Sequence, residues 1–230
     1  MTEKTEITAH DMTRRQFARN VVLGAGAATA LSVAGLPAFA QAKDVPVEKL
    51  MAPGALPDIT VGNKDAEVTI VEYASMSCPA CAAFHKNVLP ELKEKYIDTG
   101  KVLLVMREFP LNQIAVAVSM LTRCAGNNDA TAALTDIYFQ KQDEWLVRGN
   151  AEPKLFEIAK QAGFTREKFE ACLKDEKLYG QLVEQRNKAS EEFGVSRTPS
   201  FFINGKAVEG SVMTLDTFSK VIDPLLNESG

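Results

Sequence analysis

The chain has 230 residues, 24% of them charged, and a formal net charge of −4. It has no basic patch with interleaved aromatic residues, which argues against nucleic acid as a partner. It also has neither an internal repeat nor a low-complexity tract, and it contains four cysteines and two histidines.

Residues 1–40 are predicted to be an export signal. Arg14 and Arg15 precede an apolar run rich in alanine and glycine, residues 21–36, which ends before small residues at a cleavage site near Ala40. The run is shorter and less apolar than the roughly 20 residues that a transmembrane helix needs. The long polar lead before the arginine pair favours a twin-arginine signal over an ordinary secretory signal.

Cleavage of this signal would leave about 190 residues, enough for one buried domain with an insertion. The signal contains four basic and three acidic side chains, so its removal changes the net charge from −4 to −5. The mature protein is predicted to leave the reducing cytoplasm for an oxidising space where disulfides persist. Residues 41–57 contain three prolines and are predicted to form an extended arm.

The first predicted elements place a pair of cysteines at the start of a helix. Residues 68–73, VTIVEY, are predicted to form a strand that is buried on both faces. The segment SMSCPACAAFH follows, and Pro79 suits the first helical position, so Cys78 is the expected N-cap. Apolar residues then recur every four positions, and Pro90 is expected to kink this helix because it lacks a backbone donor.

The remainder of the chain is predicted to be a second strand, a helical block, a hairpin and a last helix. Residues 101–109 are the predicted strand, and residues 112–193 have an almost wholly helical pattern, with glycines that indicate helix ends. Asn204 and Gly205 lie between two apolar runs and indicate a hairpin turn. Thr214 is the expected cap of the last helix.

This order of elements predicts an α/β fold of the thioredoxin-like type with an inserted helical subdomain. A strand–helix–strand unit with a Cys-x-x-Cys motif at the helix start is the signature of that fold. Residues 58–111 and 194–230 are the expected two parts of the thioredoxin-like domain. Residues 112–193 are the expected insertion, which would cover one side of the active site.

Two cysteines at this spacing could hold a metal, staple a loop or pass electrons. A thiolate at a helix N-terminus meets unpaired backbone N–H groups and the positive end of the helix dipole. The thiolate is the reactive form, so Cys78 is the expected nucleophile. Cys81 lies one turn later on the inner side of the helix, and it is expected to resolve a mixed disulfide in an intramolecular step.

The chain resembles the DsbA-like thiol–disulfide oxidoreductases of the bacterial periplasm from about Asp58 to its end. The resemblance rests on VTIVEYASMSCPACAAFH, on the helical insertion and on VSRTPSFFINGK. It implies that Cys78 is the exposed nucleophile and Cys81 the resolving thiol. It also implies that the bond before Pro199 is cis, with the backbone of Thr198 available to pair with an extended substrate.

The resemblance further implies an enzyme that introduces disulfides into reduced or unfolded exported proteins, with a membrane thiol oxidase that reoxidises it. No cofactor and no metal are expected. The family often has histidine where this chain has Ala80, so we expect a higher pKa for Cys78 and a less oxidising couple than in those relatives. The alternatives are a disulfide isomerase or reductase, and a metal-handling binding protein of the same fold. The arm is too short and proline-rich for a coiled coil, so a monomer is expected.

Glu72 interrupts the first apolar strand, and a carboxyl group there is costly unless it has a function or a partner. We interpret Glu72 as a proton acceptor beneath Cys81, and relatives place an acidic group in this strand. The alternative is that Glu72 faces solvent at the strand end. His85 is the only histidine after the signal, and its position two turns beyond Cys78 indicates a surface or packing residue.

Cys124 and Cys172 lie outside the redox motif, on separate predicted helices of the insertion. They are the two cysteines left over when the redox pair is set aside, and in an oxidising compartment two such cysteines favour a structural disulfide between them. Such a bond would close a loop of 48 residues, the difference between positions 172 and 124. By the chain-entropy argument, closing a loop of this length contributes at most about 4 kcal/mol to the free energy of unfolding. A zinc site made by all four cysteines is the weaker interpretation, because only one closely spaced pair is present.

Overall fold

The computed structural model describes residues 42–208 and 213–227. The predicted export signal, residues 1–40, lies outside the described residues. Within these two ranges, no helix has the length and apolarity that crossing a membrane requires.

A single mixed sheet forms the centre of the described residues, which contain five strands. They are β1 (Ile59–Gly62), β2 (Val68–Ala74), β3 (Val102–Glu108), β4 (Ser200–Ile203) and β5 (Lys206–Ala207). The strand order in the sheet is β1-β3-β2-β4-β5. Strands β2 and β3 are parallel, and the other three pairs are antiparallel. β2 therefore lies in the middle of the sheet and ends directly before the cysteine motif.

Helices cover both faces of the sheet and build the insertion. They are α1 (Val47–Leu50), α2 (Pro79–Asn87), α3 (Leu89–Leu92), α4 (Gln113–Arg123), α5 (Asn128–Gln140), α6 (Gln142–Trp145), α7 (Glu152–Gln161), α8 (Arg166–Leu173), α9 (Glu176–Phe193) and α10 (Leu215–Asn227). One apolar core joins one face of the sheet to α2, α3 and α10, and a second joins the opposite face to α9 and the residues around α1. A third core joins α2 to the helices of the insertion.

The predicted kink after the cysteine motif is present. Val88 separates α2 from α3, and α3 begins immediately before Pro90 and continues into a π-helical turn, Lys93–Ile97. The interruption follows from proline chemistry, because Pro90 has no N–H to donate to the carbonyl one turn earlier.

The helical block and the hairpin also match their sequence signals. Four of the insertion helices, α4, α5, α8 and α9, begin with a polar side chain that accepts a backbone N–H of the first turn. Helix α9 ends at Gly194, whose φ of 72° is left-handed. Asn204 and Gly205 have φ values of 44° and 80°, the conformation that a tight hairpin turn needs. The hydroxyl of Thr214 accepts the Thr217 N–H at the start of α10.

Two features of the amino-terminal part differ from the expectation. Residues 41–57 are not extended throughout, because the carbonyl of Pro46 accepts the Leu50 N–H and begins the one-turn helix α1. Burial of Val45 and Leu50 in the core fixes this turn against the sheet. Strand β1 was not predicted either; it pairs antiparallel with β3 and extends the sheet by one edge strand.

Candidate active site

The loop after β2 places Cys78 at the start of α2. Cys78 is the N-cap with extended backbone angles, and Pro79 occupies the first turn of the helix. The Cys78 N–H donates to the carbonyl of Ser75 at 2.9 Å, which closes the turn between strand and helix. Gln142 of α6 donates to the carbonyls of Met76 and Cys78, so the insertion holds this loop from the other side.

The two cysteines of the motif are free thiols in different surroundings. The Cys78 side chain is nearly buried with 7% of its surface exposed, whereas Cys81 is fully enclosed. The thiol of Cys78 donates to the carbonyl of Thr198 at 3.3 Å. The Thr198–Pro199 bond is cis, so the expected cis-proline loop lies directly beside Cys78.

The pKa values of these two thiols move in opposite directions. A hydrogen bond from the Cys81 thiol is the main cause that lowers the pKa of Cys78 to about 5, against the opposing effect of burial. The Thr198 side chain, whose Oγ1 otherwise has no partner among the described residues, and the N–H groups at the start of α2 lower it further. Burial raises the pKa of Cys81 well above its usual range, with added contributions from Cys78 and from the charge of Glu72. At neutral pH the pair therefore consists of one thiolate and one thiol.

Glu72 lies in the middle of β2 and is fully buried, so the solvent-facing alternative is wrong. Its Oε2 atom is 3.1 Å from Nε2 of His85, and its charge acts on Cys81. The carboxylate is thus fully buried, close enough to Cys81 for its charge to act on that thiol, and it has a basic partner, which is the requirement for keeping such a group in an apolar interior.

His85 is a buried packing residue rather than a surface residue, with 1% of its side chain exposed. Its ring stacks on Phe139 of α5 at 4.1 Å between centroids. Burial is the largest single influence and works against a positive charge on this ring, but the charges and hydrogen bonds of Glu72 and Asp136 together outweigh it and raise the pKa of His85 to about 9. The pairing of His85 with Glu72 was missed from the sequence. The available signal is that His85 follows Cys81 by four residues and so shares its face of the helix.

The other two cysteines are joined by a disulfide in the structure, with 6.2 Å between the Cα atoms of Cys124 and Cys172. A four-cysteine zinc site would need the sulfur atoms that this bond occupies. In the parts of the chain that the structure describes, no cluster of three or more metal-ligating side chains is present.

An apolar cavity of about 620 Å³ opens beside the cysteine pair, between α2, the cis-proline loop and the start of α10. Its lining includes Ala80 at the start of α2, Phe84 further along it, Val88 directly after its end, and Pro199. Arg197 contributes the positive charge nearest in sequence to the cis-proline. The cavity could hold the apolar side chain of a polypeptide whose sulfur contacts Cys78.

A model of the thioredoxin family matches residues 55–224, and the chain belongs to this family. The chain is DsbA-like within it. It is 32% identical to Wolbachia pipientis alpha-DsbA1, whose crystal structure it matches over 80% of this chain and 97% of that one, with a TM-score of 0.71. The predicted thioredoxin-like fold with a helical insertion is therefore confirmed.

A further relative supports the family, and a further solved structure shares the fold. A Rickettsia bellii protein described as a protein-disulfide oxidoreductase is 37% identical over 172 residues, which are 75% of this chain and 66% of that protein. The chain thus spans just under two thirds of the length of this relative. The structure of BdbD from Bacillus subtilis, 20% identical, has the same fold with a TM-score of 0.65 over 74% of this chain and 93% of that one.

Proposed function

We propose that the protein is a dithiol–disulfide oxidoreductase that introduces disulfides into exported proteins through Cys78 and Cys81. The observation that carries this proposal is the asymmetry of the two thiols. Cys78 at the helix start has a pKa of about 5, whereas the pKa of the enclosed Cys81 lies well above its usual range. A dithiol of this kind releases a stable leaving group at one sulfur and protects the other from solvent.

The reaction begins with Cys78 and Cys81 joined as a disulfide. A substrate thiolate attacks the Cys78 sulfur, the Cys78–Cys81 bond breaks, and Cys81 leaves and takes up a proton. A second substrate thiolate then attacks the first substrate sulfur, and Cys78 leaves as the stabilised thiolate. Two substrate thiols become one disulfide, and the enzyme becomes one thiolate and one thiol.

Glu72 is the group that we propose to exchange a proton with Cys81. It is fully buried, and its charge raises the pKa of the Cys81 thiol. As a carboxylic acid, Glu72 would give its proton to the departing Cys81 thiolate, and as a carboxylate it would accept that proton when Cys81 must attack.

The substrates are reduced or unfolded exported proteins. The apolar cavity beside Cys78 supports this choice, because an unfolded chain presents apolar side chains that a folded surface hides. Turnover leaves the enzyme reduced, so a second protein must reoxidise it, and a membrane thiol oxidase is the proposed partner. The protein is proposed to act as a monomer without a cofactor and without nucleic acid.

We place the enzyme in the periplasm, after export by the twin-arginine route and cleavage near Ala40. Replacing Arg14 and Arg15 by lysine keeps the charge but should leave uncleaved precursor in the cytoplasm. Cell fractionation followed by immunoblotting measures this. Normal export and cleavage of the lysine variant would instead indicate the ordinary secretory route.

A redox titration against glutathione, combined with oxidation of a reduced and unfolded substrate protein, tests the proposed function. The oxidised enzyme should form disulfides in that substrate with single-turnover stoichiometry, and the couple should be less oxidising than in relatives with histidine at the position of Ala80. A couple as reducing as that of thioredoxin would favour a reductase. Thiols that resist titration until a chelator is added would favour the metal-handling alternative.

A further inference from the structure

His85 connects the buried carboxylate with the surface of the protein. One ring nitrogen, Nε2, is 3.1 Å from Oε2 of Glu72, and both side chains are almost completely buried. The other nitrogen, Nδ1, is 3.5 Å from Oδ1 of Asp136 on α5, whose side chain is 47% exposed. A chain of ionisable groups thus runs from Glu72, whose charge acts on Cys81, to a carboxylate that solvent reaches.

The chain of groups ends in a second cavity that is separate from the one beside Cys78. This cavity has a volume of about 1130 Å³, and both His85 and Asp136 line it. Among the described residues, it shares no lining residue with the cavity beside the nucleophile. The remaining charged groups of its lining are Asp58, Lys64, Lys93, Asp98 and Asp129. A side chain seated in the cavity beside Cys78 would therefore occupy none of this second cavity.

Two atoms of this chain of groups lack hydrogen-bond partners. Oε1 of Glu72 and Nδ1 of His85 are buried, and neither makes a hydrogen bond of good geometry among the described residues. Unsatisfied buried polar atoms cost free energy, and sites that handle protons are among the places where they persist. These two atoms are available for the two transfers that a proton path would need, one toward the thiol pair and one toward Asp136.

We propose that His85 and Asp136 form the outward half of a proton path that links Glu72, and through it Cys81, with solvent in the second cavity. The inference rests on the proposed function, since it assumes that Glu72 exchanges a proton with Cys81. The path adds two groups to that exchange. His85 releases a proton when Glu72 gains one and takes one up when Glu72 loses one, and Asp136 is the group through which His85 exchanges its proton with solvent. Both are positioning residues, because neither touches the reacting sulfur atoms.

Each transfer along this path conserves protons. When Cys81 must attack, its thiol proton moves to the Glu72 carboxylate. His85, which has then lost the neighbouring negative charge, releases its Nδ1 proton to Asp136 and the solvent. When Cys81 later leaves as a thiolate, Glu72 returns the proton and His85 regains one at Nδ1. The Glu72–His85 pair is neutral in both states, which avoids a net charge in the apolar interior.

The groups that face His85 come from three elements. Glu72 faces it from β2, Asp136 faces it from α5, and the Cys81 thiol precedes it by one turn on α2. Burial lowers the pKa of His85, whereas the charge of Glu72 raises it most and Asp136 adds to that rise. Removal of the Asp136 charge should therefore lower the pKa of His85, and the pH at which His85 releases its proton should fall.

The test separates the attack of Cys78 from the resolving attack of Cys81. Reduced enzyme is mixed with glutathione disulfide, and acid-quenched samples are analysed by mass spectrometry over a range of pH. The first step is measured alone in the Cys81→Ser background, where the mixed disulfide accumulates. In the His85→Gln variant, the resolving step should slow by about ten-fold at neutral pH, whereas the first step should change by less than two-fold.

Asp136→Asn is the milder variant, and Asp143→Asn is its matched control. Asp143 is an exposed carboxylate whose partner is Lys86, the neighbour of His85 on α2, rather than the imidazole ring. Asp136→Asn should slow the resolving step about three-fold and move its pH profile toward lower pH. Asp143→Asn should leave the rate and the profile unchanged.

Three results would overturn the path. The first is a resolving step in His85→Gln as fast as in the wild-type enzyme, and the second is equal slowing of both steps in that variant. The third is identical pH profiles of the resolving step for Asp136→Asn and Asp143→Asn. If His85→Gln does not fold, the comparison of the two aspartate variants decides alone. Failure of the proposed function gives a different result, because the oxidised wild-type enzyme would then form no disulfide in the reduced and unfolded substrate protein.

Discussion

The Cys81→Ser variant should accumulate a covalent complex with disulfide-bonded substrates and lose turnover entirely. The substrate sulfur stays bonded to Cys78 because serine cannot attack it. Cys78 remains reactive in this variant, since it keeps its place at the start of α2, where backbone N–H groups stabilise its thiolate. Non-reducing electrophoresis and mass spectrometry of the trapped complex identify the bonded cysteine.

The reactivity of Cys78 should follow its ionisation. The pKa of Cys78 is lowered to about 5, so its alkylation rate should rise as the pH passes through that value and then level off. The hydrogen bond from Cys81 is the main cause of the lowered pKa. Cys81→Ala removes this donor, and it should move the rise toward higher pH, whereas Cys81→Ser retains a hydroxyl that can donate.

Cys78→Ser is the matched control for the assignment of roles. Its remaining thiol is fully buried and has a raised pKa, so it should neither trap substrate nor react with an alkylating agent at neutral pH. A complex that forms through Cys81 in this variant, with none through Cys78 in Cys81→Ser, would reverse the two roles.

Local sequence signals were sufficient to predict the helix that begins at the cysteine motif and the hairpin between β4 and β5. Pro79 directly after Cys78 identified the helix start, because proline fits the first turn and little else in a helix. Asn204 and Gly205 identified the hairpin because both adopt a positive φ at low cost. These features depend on neighbouring residues only, and such residues are visible in the sequence.

The contacts that define the proton path could not be predicted in the same way. Glu72 and His85 are separated by 13 residues, and their contact depends on how α2 crosses the sheet. Asp136 reaches His85 only because α5 packs on α2 through the stacked ring of Phe139. Strand β1 was missed for a related reason, since its short run forms a strand only by pairing with β3.

Removal of the second disulfide should have the largest effect on stability. The bond between Cys124 and Cys172 joins the end of α4 to α8 across a sequence separation of 48. Its loss in the Cys124→Ser, Cys172→Ser double variant should lower the free energy of unfolding by up to about 4 kcal/mol, because the unfolded chain regains freedom. For a domain of this size the melting temperature should fall by about 10 °C.

Oxidase activity should survive in the double variant, because other contacts hold α4 in place. Arg123, next to Cys124, forms an ion pair with the nearly buried Glu108 of β3, and Gln185 of α9 donates to the same carboxylate. The start of α4 is capped by the Asn112 side chain. None of these contacts involves the disulfide, so the sheet and the cysteine motif should keep their arrangement.

The serine substitutions also change packing, since Cys172 is buried in the core shared by α2 and the insertion. A Cys78→Ser, Cys81→Ser variant separates the two effects, because its melting temperature can be measured with and without a reductant that opens the remaining bond. The fall in its melting temperature on reduction should account for most of the fall seen in the Cys124→Ser, Cys172→Ser variant. Free thiols at Cys124 and Cys172 in air-exposed protein would show that the bridge does not form in solution. A folded double variant without activity would instead make the bridge part of the catalytic control, since the same core contains Cys78 and Cys81.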